Sequence, residues 1–115
     1  MRGGTNMGMT PTETLMAALI GCTNVISQRI AHGKGVEFHD MKVDVKAQLD
    51  RRGVMLEEAI AVPFPSLTLT VTARSNATPA QLEEIKAELA KFCAIGVVIR
   101  AAGTKFNEVW NITPM

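Results

Sequence analysis

Residues 10–33, TPTETLMAALIGCTNVISQRIAHG, make the longest periodic segment of the chain, and whatever fold it adopts has to bury them. Thr10 is suited to cap a helix, Pro11 to take its first position, and Glu13 stands three residues after the cap, which together spell a capping box. Leu15, Leu19, Cys22, Ile26 and Ile30 recur at spacings of three and four, so Cys22 is expected in the apolar stripe and largely buried. Met16, Ala17, Ala18, Ile20 and Val25 extend apolar surface to the other sides, which predicts cover by a sheet or by a partner helix. Gly33 and Gly35 supply left-handed caps near His32, where the helix should end.

A chain of 115 residues makes one domain, 1–115, able to hold a core yet small enough to gain from oligomerisation. The 12 Lys and Arg nearly balance the 11 Asp and Glu, and aromatics are only 4% with no Tyr, so neither a basic footprint nor a stacking platform for nucleic acid is present. No nucleic-acid partner and no membrane association are expected; small molecules and copies of the chain itself fit better. The first nine residues, MRGGTNMGM, read as a loop leading into the helix, without a phosphate-binding glycine pattern. No leader pattern and no run of about 18 apolar residues points to export or membrane spanning, so a reducing cytoplasm is the expected compartment. Two distant cysteines with only His32 and His39 beside them make no metal pattern, and no cofactor is assigned.

Beyond the first helix the period changes. Val43, Val45, Ala47 and Leu49 alternate with Lys42, Asp44, Lys46 and Gln48 in a half-buried strand, followed by a turn at Asp50-Arg51-Arg52-Gly53 and an irregular segment to Pro65. Leu67, Leu69, Val71 and Ala73 alternate with threonines in a second, antiparallel strand. Thr78, Pro79 and Gln81 repeat the helix-start pattern, with Leu82, Ile85, Leu89 and Phe92 or Cys93 as the apolar stripe. Residues 94–102 suit a short helix ending at Gly103, and 105–112 a closing strand carrying Phe106, Glu108, Trp110 and Ile112 on one side. Helix, two strands, helix and strand in that order predict an α+β fold.

A cysteine on an apolar stripe is ordinarily a small hydrophobe. Two of them, Cys22 and Cys93, on the buried stripes of the two principal helices allow more, because packing those helices together can bring the sulfurs into bonding range. One thiol could then be oxidised to a sulfenic acid and the other resolve it to a disulfide, a thiol-peroxidase logic. Glu13 precedes Cys22 by nine residues, about 13 Å along one helix and about 180° around it, so the two do not touch directly. Glu13 acts through the cap, through another group, or across a subunit interface.

Gly3-Gly4-Thr5-Asn6, Pro11-Thr12-Glu13 and the run Leu15 to Thr23 resemble the signature helix of the OsmC/Ohr family, the osmotically inducible and organic hydroperoxide resistance proteins. Leu49 to Gly53, Phe64, Lys91-Phe92-Cys93 and Trp110 fit its later pattern in the same order, so the resemblance spans nearly the whole chain. It implies an OsmC-like α+β fold in which an antiparallel sheet packs on two main helices and two chains intertwine as a homodimer, with active sites at the interface. It also implies thiol-dependent reduction of organic hydroperoxides or hydrogen peroxide, regenerated by a dithiol reductant. By match Cys22 is the peroxidatic thiol, Cys93 the resolving thiol and Glu13 the carboxylate that positions an activating arginine. The family's N-terminal strand region, which carries that arginine, is expected to be lacking; Arg2 does not align with it, and Arg51 or Arg52 takes its place only if their turn folds over the site. Ala94-Ile95 stand where Pro-Val often follows the second cysteine. The alternative function is a non-catalytic dimeric OsmC-like module that binds a small apolar molecule at the interface.

Overall fold

The computed structural model describes residues 10–115; the loop expected over 1–9, with Arg2 and the Gly3-Gly4 stretch, lies outside them. The elements run α1 (Pro11–Gly33), β1 (Phe38–Ala47), β2 (Ser66–Ser75), α2 (Pro79–Phe92), α3 (Ala94–Ala101) and β3 (Lys105–Pro114).

Both long helices start on the predicted chemistry. The Glu13 N–H donates to Thr10 Oγ1 at 3.2 Å and Glu13 Oε1 accepts from the Thr10 N–H at 2.9 Å; Gln81 and Thr78 repeat the exchange at 3.1 and 3.0 Å. At the other end of α1 the Lys34 and Val36 N–H groups both reach the Ala31 carbonyl, with Gly35 at φ +70°, a conformation that costs a residue lacking Cβ little.

β2 is the centre of a three-stranded sheet, order β1-β2-β3. β1 pairs with it antiparallel and β3 parallel, so the sheet is mixed where an antiparallel one was expected. The reason is the connection: α2 and α3 carry the chain back along the sheet, and β3 re-enters at the end where β2 began. Leu67, Leu69, Val71 and Ala73 are buried on the face that receives the helices, while Thr72 on the other face is exposed. Two clusters make the core. Leu19, Leu67, Leu69, Leu89, Cys93 and Ile99 form one; Ala31, Val36, Phe38, Ala73 and Ile85 form the other. Helices segregated to one face of a sheet make this an α+β fold.

Burial on α1 differs from the expected stripe. Its buried line is Leu19, Thr23, Ser27 and Ala31, and Cys22 is half-buried on the flank with Leu15, Ile26 and Ile30. Polar residues can occupy that line because they are small and find partners: Ser27 Oγ donates to the Asn24 carbonyl at 3.1 Å. Val25, on the outer side, is 49% exposed.

The segment between β1 and β2 is irregular, as its prolines require; the Asp50 N–H closes it on the Pro63 carbonyl at 2.8 Å, and Arg52 braces its turn. Arg52 forks onto Asp50 at 2.6 and 3.0 Å and reaches Glu58 at 3.1 Å; the guanidinium holds the Asp50 carboxyl below its usual range. Leu56 at its tip has φ +62° and is 93% exposed.

Candidate active site

α2 ends at Phe92 and α3 begins at Ala94, so Cys93 is the hinge residue between them, at φ −74° and ψ 101°. Extended backbone there turns α3 back toward α1, and the Cys93 side chain is carried into the core, 2% exposed. Cys22 from α1 packs against the core cluster that holds Cys93, and both cysteines are free thiols. The two cysteines expected on the buried sides of the principal helices thus share one core cluster, with the break between α2 and α3 directing Cys93 into it.

Burial is the main force on the Cys93 thiol and pushes it above the ordinary value of 9.0; its contact with Cys22 acts the same way. The Gly96 amide and the Thr23 hydroxyl pull it back down by favouring the thiolate. Of the two cysteines Cys22 is the more accessible, half-buried where Cys93 is buried.

Glu13 occupies the other side of α1. Its carboxylate closes the capping box, and it lines two adjoining cavities. The first, about 390 Å³, is walled by Met16, Ala17, Ile20, Val45, Ala47, Leu49 and Phe64. The second, about 670 Å³, brings Glu13 together with Arg51, Val54 and Met55 of the turn, so that turn does fold toward the Glu13 end of α1. Arg52 is held by Asp50 and Glu58 instead. Within one chain Cys22 and Cys93 belong to one packed cluster, while the two cavities that Glu13 lines include neither cysteine.

His32 is exposed at the end of α1, and His39 pairs with Glu37 at 3.0 Å on the surface; neither lines these cavities. Among the described residues no group of three or more His, Cys, Asp or Glu side chains is placed to hold a metal ion, and no helix is long and apolar enough to cross a membrane. Thr23, Gly96 and Arg100 escaped the sequence reading as neighbours of Cys93. The available signals were a threonine facing inward on an apolar helix and an arginine two turns after Cys93, on the same side of α3.

The model of one protein family, described as OsmC-like protein, matches residues 4–108. No curated protein matches the sequence. Among solved structures, the OsmC-like protein of Mycoplasma pneumoniae is similar at TM-score 0.78 and 14% identity, over 95% of this chain and 75% of that one. A hypothetical protein of Aquifex aeolicus is similar at TM-score 0.76 and 19% identity, over 96% and 78%. The organic hydroperoxide resistance protein OhrB of Bacillus subtilis is similar at TM-score 0.60 and 13% identity, over 95% and 75%. At these identities the likeness is one of fold.

Proposed function

We propose that this chain, which belongs to the OsmC-like protein family, reduces organic hydroperoxides or hydrogen peroxide as a homodimer through a two-cysteine cycle. The observation that carries this reading is the packing of two free cysteines, Cys22 from α1 and Cys93 from the break between α2 and α3, in one core cluster. Cys22, the more accessible, is the peroxidatic thiol. Its thiolate attacks the terminal peroxide oxygen, an S–O bond forms as the O–O bond breaks, and the alkoxide takes a proton to leave as an alcohol. The Cys93 thiolate then attacks the Cys22 sulfenic sulfur; the S–S bond forms, the S–O bond breaks, and hydroxide leaves as water after protonation. A dithiol reductant of the compartment returns both thiols and is itself oxidised to a disulfide.

Glu13 is assigned the carboxylate role at the partner subunit's thiol, because its side of α1 lies away from Cys22 of its own chain. Among the described residues, Arg51 lines the same cavity as Glu13 and is proposed for that role. A reducing cytoplasm suits two free thiols.

The test is consumption of cumene hydroperoxide with dithiothreitol as reductant. Wild type turns over; Cys22→Ser does not; Cys93→Ser forms a sulfenic acid at Cys22 without an intrachain disulfide. Equal turnover by wild type and Cys22→Ser overturns the reading.

The apolar 390 Å³ cavity favours one alternative, a non-catalytic dimeric module that binds a small apolar molecule. In that case a fluorescent apolar probe binds, Ile20→Trp displaces it, and Cys22 alkylates no faster than a free model thiol.

A further inference from the structure

We propose that Arg100 is a positioning residue for Cys93: held between Phe106 and Glu108 on the far side of Gly96, its guanidinium sets how readily the second thiol gives up its proton. This role rests on the two-cysteine cycle proposed above and names the residue that governs its second step.

The geometry begins with α3. Seven residues separate Cys93 from Arg100, which puts them on one side of a helix two turns apart. A Cβ placed on Gly96 between them would stand 3.5 Å from Cys93 Sγ and 3.7 Å from Arg100 Nη1, so the sulfur and the guanidinium flank the same glycine. They line one small cavity with Thr23, Phe106 and Glu108.

Arg100 is fixed there by three residues of β3. Its Cζ lies 4.0 Å from the centroid of the Phe106 ring, and its Nη2 donates to Glu108 Oε2 at 2.7 Å. Glu108 Oε1 in turn accepts from Trp110 Nε1 at 3.0 Å, which sets the carboxylate's plane. An arginine on an otherwise apolar helix, only 31% exposed and clamped from β3, is placed more closely than a solvating charge requires.

The titratable or charged groups facing Cys93 are Cys22 from α1, Arg100 from α3 and Glu108 from β3; β2 and α2 contribute Leu69 and Leu89. The cation favours the Cys93 thiolate and the carboxylate opposes it. Arg100 therefore speeds attack on the Cys22 sulfenic sulfur and, in the return half-cycle, makes Cys93 the better leaving thiolate when the dithiol attacks Cys22. Cys22 does not line the cavity that Arg100 shares with Cys93, so the step that consumes peroxide should respond less to Arg100 than the second step does.

The charges predict opposite signs for two substitutions, which loss of packing does not. With Cys22→Ser as background, Cys93 is the only thiol, and the chain has no Tyr to absorb with it, so thiolate absorbance near 240 nm titrates one group. Arg100→Met should raise the midpoint and cut the thiolate fraction at fixed pH about tenfold; Glu108→Gln should lower the midpoint by a similar step; Arg100→Lys should keep most of the wild-type value. In the two-cysteine protein, Arg100→Met should slow disulfide closure about tenfold, with a smaller effect on the rate of sulfenic acid formation at Cys22. Coincident midpoints for Arg100→Met and wild type, with unchanged circular dichroism, overturn the role. So do equal shifts of one sign for Arg100→Met and Glu108→Gln. The titration uses no peroxide, so a protein that lacks peroxidase activity but shows the opposed shifts would refute the cycle and leave the electrostatics standing.

Discussion

At the scale of single residues, Cys93 joins stability to pH. Burial makes its thiol ionise less readily in the folded chain than in the unfolded one. Below the ordinary thiol value of 9.0 both states keep the proton and the folded protein has the full benefit. As pH rises through that value the unfolded state loses its proton first, and stability falls toward the raised folded value. The reduced protein should therefore lose melting temperature between about pH 8 and pH 10 more steeply than Cys93→Ala does; parallel slopes would contradict the buried protonated thiol. Arg52 offers a second residue-scale expectation. The Glu57 N–H bonds the Arg52 carbonyl at 2.8 Å inside a turn braced by the Arg52 side chain on Asp50 and Glu58. Arg52→Ala should raise the hydrogen exchange of the 55–57 amides while the amides of β2 stay protected, as native-state exchange spectra would show.

At the scale of elements, α1 and α2 were legible because their signals are local. A capping threonine, a proline at the first position and an acid or amide at the third specify a helix start without reference to the rest of the chain. Thr78→Ala should accordingly cost about 1 kcal/mol in urea denaturation, with the α2 core contacts of Ile85 and Leu89 intact. What periodicity missed has nonlocal causes. The buried line of α1 runs through Thr23 and Ser27 because the sheet and α2 meet it there, so Cys22 fell to the half-buried flank although its spacing was apolar. The direction of β3 was likewise invisible, since a strand's alternation reads the same whichever way its neighbour runs. Cys22 and Cys93 could be named as a candidate pair from the sequence, but Arg100 and Glu108 could not. Their meeting depends on α3 folding back beside β3.

At the scale of the molecule, one chain is long and flat, 49 × 30 × 19 Å with a radius of gyration of 16.1 Å, where a compact chain of this length would give about 13 Å. That shape, with Val25 exposed on the outer side of the central helix, is what half of a larger body presents. Light scattering should return twice 12.4 kDa, and Val25→Asp should shift the protein to the monomer mass; a wild-type monomer would remove the homodimer from the proposed function. The parallel pairing of β3 also sets an order of events as the chain is made. Lys105 registers with Ser66, about forty residues earlier, so the sheet cannot close until α2, α3 and almost the whole chain have been synthesised. Phe106 and Glu108 reach Arg100 only at that last step. Until then Arg100 lacks the ring and the carboxylate that hold it, so the clamp beside Cys93 is among the last parts of the core to be assembled.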